Sequence, residues 1–245
     1  MAEPGRQDFA SPAPGPAAGC RAPSRMDQPK PAPPPPSRVV HTADALAWLR
    51  EQALPETASV LTSLPDAVEF SHRDVERWRP WFLGAAEQVL RATPAQGAAI
   101  FYQTDVKRDG RWIDKAFLVQ QAAAAAGVPL LWHKIVCRAP AGQATFARPG
   151  YAHLLCFAVQ RREPAAAASA DVLPEVGAMT WARAMGLAAA RCAVRWLRDH
   201  AGATCIVDPF CGVGTALAVA NELGLAAIGV ERNPGRAAKA RLLTL

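Results

Sequence analysis

Asp208, Gly212, Gly214 and Thr215 fall close together in the run Ile206-Val-Asp-Pro-Phe-Cys-Gly-Val-Gly-Thr-Ala-Leu-Ala-Val-Ala220. The glycines carry no side chain to hold a ligand off the backbone, and Thr215 opens an alanine-rich segment of helical character. The N–H groups of that helix start would face the turn, where polar or anionic ligand groups bind well. A second acid, Glu231, ends the apolar run Ala226-Ala-Ile-Gly-Val230, 23 residues after Asp208. A carboxylate at that distance from a glycine turn is placed to hold ribose hydroxyls. Two further carboxylates close apolar runs upstream. Asp66 follows Ser59-Val-Leu-Thr-Ser-Leu-Pro65, and Asp105 follows Ala98-Ala-Ile-Phe-Tyr-Gln-Thr104. In a closed pocket either could accept a hydrogen bond from a substrate or act as a general base. A turn or capping aspartate is the competing reading for each.

The elements that must position these groups alternate along the chain. Val39–Thr42 reads as a strand that turns at Thr42-Ala-Asp44 into a helix with Leu46 and Leu49 on one face. Val60–Ser63 is a second strand, broken by Pro65, and an arginine- and tryptophan-rich helix covers Arg73 to Ala92. Ala98–Thr104 is a third strand, Asp109-Gly110 a tight turn, and Ile113 to Ala126 a helix ended by Gly127. Leu130–Cys137 and Tyr151–Val159 form an antiparallel pair. A polar connector over residues 160–170 leads to a helix from Thr180 to His200. The strand–turn–helix–strand run from Ile206 to Val230 closes the series. Strands alternating with helices argue for a mostly parallel sheet with helices on both faces.

Composition narrows the class. A chain of 245 residues that is 51% hydrophobic buries one sizeable core. A net charge of +6 favours polyanionic partners. The six cysteines (Cys20, Cys137, Cys156, Cys192, Cys205 and Cys211) include no C-x-x-C pair, and the five histidines show no ligand spacing, so no metal is expected. Most of the cysteines read as buried thiols of a reducing compartment. No apolar stretch approaches a membrane span and no secretory core is present. The expectation is a cytoplasmic protein, with organellar targeting left open. Residues 1–37 hold eleven of the 22 prolines and almost no large apolar residue, so they read as a disordered tail ahead of a domain at 38–245.

Asp208-Pro-Phe-Cys-Gly-Val-Gly-Thr215 with Glu231 resembles the S-adenosylmethionine (SAM) signature of class I methyltransferases. It is most similar to the Asp-Pro-Phe-x-Gly-x-Gly-Thr form of the nucleic-acid amino-methyltransferases. In most of those enzymes this unit opens the domain. Here the strand order is similar to their circularly permuted class, with Val39–Thr42 as the family's third strand, Val60–Ser63 its fourth and Ala98–Thr104 its fifth. The expected fold is a three-layer, Rossmann-like methyltransferase sheet, mostly parallel with one antiparallel hairpin and circularly permuted. Val39-Val-His-Thr-Ala-Asp-Ala-Leu-Ala-Trp-Leu49 resembles the family segment Gly-Asp-Ala-x-x-x-Leu, whose aspartate lies beside the cofactor adenine. Leu61-Thr-Ser-Leu-Pro-Asp66 stands where the family carries Thr-Ser-Pro-Pro-Tyr or Asp-Pro-Pro-Tyr, with Leu64 in place of the first proline and Asp66 in place of the aromatic.

The resemblance implies SAM as cofactor. Asp208, Pro209, Phe210, Cys211, Gly212, Gly214 and Thr215 would hold its methionine end, Glu231 and Arg232 its ribose, and Asp44 and Ala45 its adenine. Thr180 and Trp181 occupy the segment that lies beside the methionine in permuted enzymes; a helix cap followed by a core tryptophan is the alternative. Ser63, the Leu64 carbonyl, Pro65 and Asp66 would form the substrate loop, with Asp105 facing it. With no aromatic at 66, base contact passes to Phe70, Trp78, Trp81, Tyr102 or Trp112. His133, Lys134, Arg138 and Arg148 could line the substrate mouth, and Arg191, Arg195 and Arg198 could track phosphates or form a solvated helix face. The segment 160–178 is too short for a sequence-reading module, which favours a base in RNA, such as tRNA, methylated at an exocyclic nitrogen, over DNA. A methyltransferase for DNA, a small molecule or a protein, and an inactive SAM-binding subunit with a protein partner or as a homodimer, are the alternatives.

Overall fold

The structure is a computed structural model that describes residues 36–69, 74–146, 148–163 and 168–245. All but the last two residues of the expected tail, and Phe70, lie outside the described residues. The chain alternates as expected. β1 (Arg38–His41) leads into α1 (Ala45–Glu51), β2 (Ala58–Thr62) into α2 (Val75–Ala92), and β3 (Ala99–Gln103) into a small hairpin, β4 (Val106–Arg108) and β5 (Arg111–Ile113). α3 (Lys115–Ala126), β6 (Leu130–Cys137), β7 (Tyr151–Phe157) and β8 (Val172–Leu173) follow. The chain ends with α4 (Leu187–Asp199), β9 (Cys205–Asp208), α5 (Thr215–Glu222), β10 (Ala226–Val230) and α6 (Pro234–Leu242).

Eight strands form one sheet in the order β1-β10-β9-β2-β3-β7-β6-β8. β7 is antiparallel to β3 and β6, and every other pairing in that sheet is parallel. β2, β3 and β9 are buried at every residue, as central strands covered on both faces must be. The core accordingly divides into two layers. Residues of α4, α5 and α6 (Val194, Leu217 and Ala240 among them) pack on one face. Residues of α1, α2 and α3 (Leu49, Phe82 and Val119) pack on the other. Among the described residues, no helix is long and apolar enough to cross a membrane.

Local chemistry fixes where the elements begin. Asp44, Asp74 and Asp114 sit at the N-termini of α1, α2 and α3 and accept amide hydrogens from the first turns. Two expectations need correction, and the turn expected at Asp109-Gly110 is present. The helix before the signature starts at Leu187, not Thr180; Gly186 before it is extended, at φ −71° and ψ 156°, and packs so closely on Val176 that a Cβ would clash with its carbonyl oxygen. Ile113 belongs to β5, and α3 starts at Lys115 after its Asp114 cap. The turn at Asp109-Gly110, with φ of 47° and 74°, closes a hairpin outside the main sheet.

Candidate active site

β9 lies between β10 and β2, and the order along the sheet reverses there, so the loops leaving β9 and β2 at their carboxyl ends border one crevice. A direct bond joins them. Thr62, the last residue of β2, donates from Oγ1 to Asp208 Oδ1 at 2.7 Å. Asp208 also accepts the Phe210 amide at 3.1 Å. It is buried, and among the described residues no cation pairs with it. Burial drives its carboxyl from 3.8 to about 7, against the pull of those two hydrogen bonds and helped by the charge of Glu231. Burial also raises the Cys211 thiol far above its usual range, so it is a neutral packing group at physiological pH.

The turn that follows is shaped by its glycines. Gly214 has φ of 88°, and a Cβ there would meet the Ala240 Cα at 2.9 Å. A side chain on Gly212 would meet the Trp181 ring at 3.3 Å. Trp181 is thus laid over the turn, and the Arg236 guanidinium stands 5.1 Å from its ring. Thr180 and Thr215 share a hydroxyl hydrogen bond of 2.6 Å. Thr180 therefore reaches the start of α5 from an irregular segment and caps nothing in α4. Glu231 closes β10 and accepts the Asn233 amide at 2.8 Å. Arg232 reaches the Glu69 carbonyl at 3.3 Å.

One cleft of about 400 Å³ gathers these groups. Its walls include Asp44, Ala45, Ser63, Leu64, Pro65, Asp66, Asp105, Trp181, Asp208, Pro209, Phe210, Cys211, Gly212, Thr215, Glu231 and Arg232. Thr180 and Gly214 stand immediately behind that wall, through the Thr215 bond and the glycine turn.

The substrate-side loop carries a feature with no local signal in the sequence. Lys115, the first residue of α3, is buried yet reaches Asp66 in an ion pair. Pro65 turns its carbonyl to the buried Trp78 indole N–H at 3.0 Å, which fixes the loop against the core. Asp105 is buried with its lone pairs engaged. It accepts the Lys115 amide at 2.9 Å and the Tyr151 hydroxyl at 3.2 Å, and lies 3.2 Å from His153 Nε2. Burial works to raise its pKa, but bonds from His153 and the Lys115 amide bring it below the ordinary carboxylate value. Three protein groups thus surround its oxygens, and the carboxylate ties β7 and the start of α3 to the cleft wall. His153 continues to His133 at 2.9 Å. Asp105, Asp114 and His153 bring one ligand atom each within 4.8 Å of one another, a grouping that histidine spacing did not signal.

The remaining candidates sort clearly. Trp81 lines the cleft and meets Phe210 edge-on at 6.0 Å, and Tyr102 lines it too. Trp78 is core, and Trp112 stands half-exposed on the β4–β5 hairpin. Arg138 and Arg148 line the cleft. Lys134 is turned to the Ser169 and Ala170 carbonyls at 3.1 and 3.2 Å, away from any substrate. Arg191 is paired with Glu222 and Arg198 with Asp199, which removes much of the charge from the proposed stripe. Glu69, Arg183 and Arg236, none of them signalled by the sequence, form a charged group on the cleft wall, with Glu69 3.6 and 3.3 Å from the two arginines.

No protein-family model matches the chain, and no curated protein matches it by sequence. Solved structures do match by fold. A Thermus thermophilus protein assigned as a DNA modification methylase, in complex with S-adenosyl-L-methionine, superposes with a TM-score of 0.63 at 19% identity, over 83% of this chain and 91% of that one. PvuII DNA methyltransferase, cytosine-N4-specific, gives 0.66 at 16% identity over 84% and 86%. M1.HpyAVI in complex with SAM gives 0.58 at 13% identity over 84% and 98%. The chain thus has the Rossmann-like fold of class I SAM-dependent methyltransferases. Its order is permuted: β1 takes the third strand's place and β9 the first's.

Proposed function

We propose that the domain at 38–245 is a SAM-dependent methyltransferase that modifies an exocyclic amino nitrogen of a base in RNA. The observation that carries this is the Thr62–Asp208 bond, which sets the glycine turn and the Ser63–Asp66 loop on facing walls of one cleft. The residues present fit the cofactor. Asp208 is a buried carboxylate lacking a cation, chemistry that suits an ammonium or sulfonium group. Glu231 offers a carboxylate at the end of β10 for ribose hydroxyls, and Asp44 and Ala45 stand at the adenine end. The Phe210–Gly214 turn, with bare backbone at Gly212 beside Trp181 and at Gly214, would hold the methionine end.

SAM supplies an already electrophilic methyl on sulfur, so the protein's task is to align and desolvate the nucleophile. The Ser63 hydroxyl and Leu64 carbonyl are placed to accept hydrogens from a target amine and aim its lone pair across the cleft. As the N–C bond forms and the S–C bond breaks, the amine must lose a proton. Asp66, paired with Lys115, is the acceptor on that wall. Trp81, from α2, offers an aromatic face in place of the one the loop lacks.

RNA is favoured because the described residues between β7 and α4 build only β8 and an extended strap against α4, with no reading module. A second reading, DNA, is favoured by the names of the structural neighbours. Purified protein with methyl-labelled SAM and separate RNA, single-stranded DNA and duplex DNA pools decides between them. Label in an amino-methylated nucleoside from RNA supports the proposal, and label confined to DNA replaces it with the second reading. SAM binding without transfer to any pool would sink both.

A further inference from the structure

We infer that the β4–β5 hairpin and the loop before β7 form a stacking platform for an unpaired stretch of RNA beside the target base. The inference rests on the proposed substrate class. The hairpin stands outside the main sheet and is built from only three residues per strand, so no core demands its aromatic residue. Trp112 is nevertheless 50% exposed, and Phe146, from the loop between β6 and β7, is 90% exposed. One lysine joins them: Lys107 Nζ stands 5.6 Å from the Trp112 ring centroid and 5.8 Å from that of Phe146. Lys107 also lines the cleft, as do Arg138 and Arg148. The arrangement is two bare aromatic faces sharing a cation that lines the cleft.

The chemistry selects the occupant. Exposed rings cost hydration free energy and are retained where a planar apolar partner covers them. The surrounding cations call for an anionic backbone, and the hairpin carries Lys107, Arg108 and Arg111 against a single Asp109. A polymer that presents flat faces and repeating negative charge is a nucleic acid strand. Its base faces are free only where it is unpaired, since in a duplex they are stacked on one another. A base lifted into the cleft leaves its neighbours unstacked, and the platform lies where those neighbours emerge. The tip turn Asp109-Gly110 keeps the hairpin tight, which holds the Trp112 ring in place.

The test uses the full chain, a labelled unpaired oligoribonucleotide of about 12 bases, within the ~4–16 that single-strand sites cover, and total RNA as methyl acceptor. The double variant W112A/F146A should weaken oligonucleotide binding about 5- to 150-fold for each stacked base lost. KM for RNA should rise in step while kcat, SAM affinity and the melting midpoint stay at wild-type values. Because both rings are exposed, the variant should fold, and its unchanged SAM affinity reports that directly. Lys107→Gln should lower the salt dependence of binding by about one counterion. The inference is overturned if the double variant binds and methylates RNA with unchanged KM, or if wild-type protein prefers duplex or single-stranded DNA to unpaired RNA. Failure of wild-type protein to methylate any nucleic acid would instead remove the proposed function on which it rests.

Discussion

Replacing Asp208 with Asn should make the protein more stable at alkaline pH while impairing cofactor binding. The native carboxyl titrates at about 7, against 3.8 for the ordinary group, because burial penalises its charge. The folded state therefore binds this proton more tightly than the unfolded chain. The stabilisation is complete below about 3.8, declines by about 1.4 kcal/mol per pH unit, and is gone once pH passes 7. Above pH 7 the ionised group forfeits about 4 kcal/mol. Asn keeps an oxygen for the Thr62 hydroxyl and the Phe210 amide, but its new N–H₂ costs about 1–3 kcal/mol if it finds no acceptor. The variant should then exceed wild type by about 2 kcal/mol at pH 8, with the advantage vanishing or reversing near pH 5. Urea melts of the two proteins across that range isolate the difference, since other titrating groups cancel. SAM affinity should move the opposite way, falling about 10- to 150-fold with the loss of a charge-assisted bond. Wild-type affinity should weaken below pH 7 as Asp208 takes up its proton. A variant that is destabilised equally at every pH, or that binds SAM normally, would refute both the charge state and the role.

Other outcomes follow from the same geometry. Asp66→Asn should lower kcat at least tenfold, the low end of a general-base contribution of ~10²–10⁴ allowing for solvent as substitute base, and leave SAM affinity intact by calorimetry. Normal turnover would remove Asp66 from the mechanism. Asp66→Ala should destabilise more than Lys115→Met in urea, because the first strands an ammonium in a buried site while the second leaves a carboxylate that water can reach. Equal losses would show that the pair is not asymmetric. Gly214→Ala should cost about 2–4 kcal/mol in urea melts, combining the strain of φ at 88° with a Cβ pressed on Ala240 backbone. A loss below 1 kcal/mol, within the ordinary range of a tolerated substitution, would mean that α6 gives way easily.

What could be read in the sequence was the chemistry held within a few residues. The signature, its helix and the acid 23 positions on are all local, and the strand end at Asp208 follows from where an apolar run stops, whereas β2 ends at Thr62, one residue before the expected Ser63. The alternation of strands and helices implied a mostly parallel sheet, and its order followed from the resemblance to the permuted methyltransferases. The helix before the signature was misplaced because Thr180-Trp181 has the composition of a cap. The extended Gly186 packs on Val176, a tertiary contact with no local signal. β8 has two residues and each strand of the β4–β5 hairpin three, too few for an alternating pattern to register. Lys115 and Asp66 are 49 positions apart and Glu69 and Arg236 167, so neither pair had a local signal.

The departure at Asp66 then has a physical account. Trp78 holds the loop just before Asp66 through the Pro65 carbonyl. The ammonium of Lys115, fixed at the start of α3 by its own amide bond to Asp105, comes up beside the loop. A buried cation there requires an anion, and an aromatic ring in its place would leave that charge unpaired at a cost of several kcal/mol. Asp66 and Lys115 therefore act as one charged unit on the loop. A flat apolar surface in the same cleft comes from α2, as Trp81 against Phe210. The cleft has an aromatic wall and a charged one, and the charged wall is where a donor amine and its departing proton would lie.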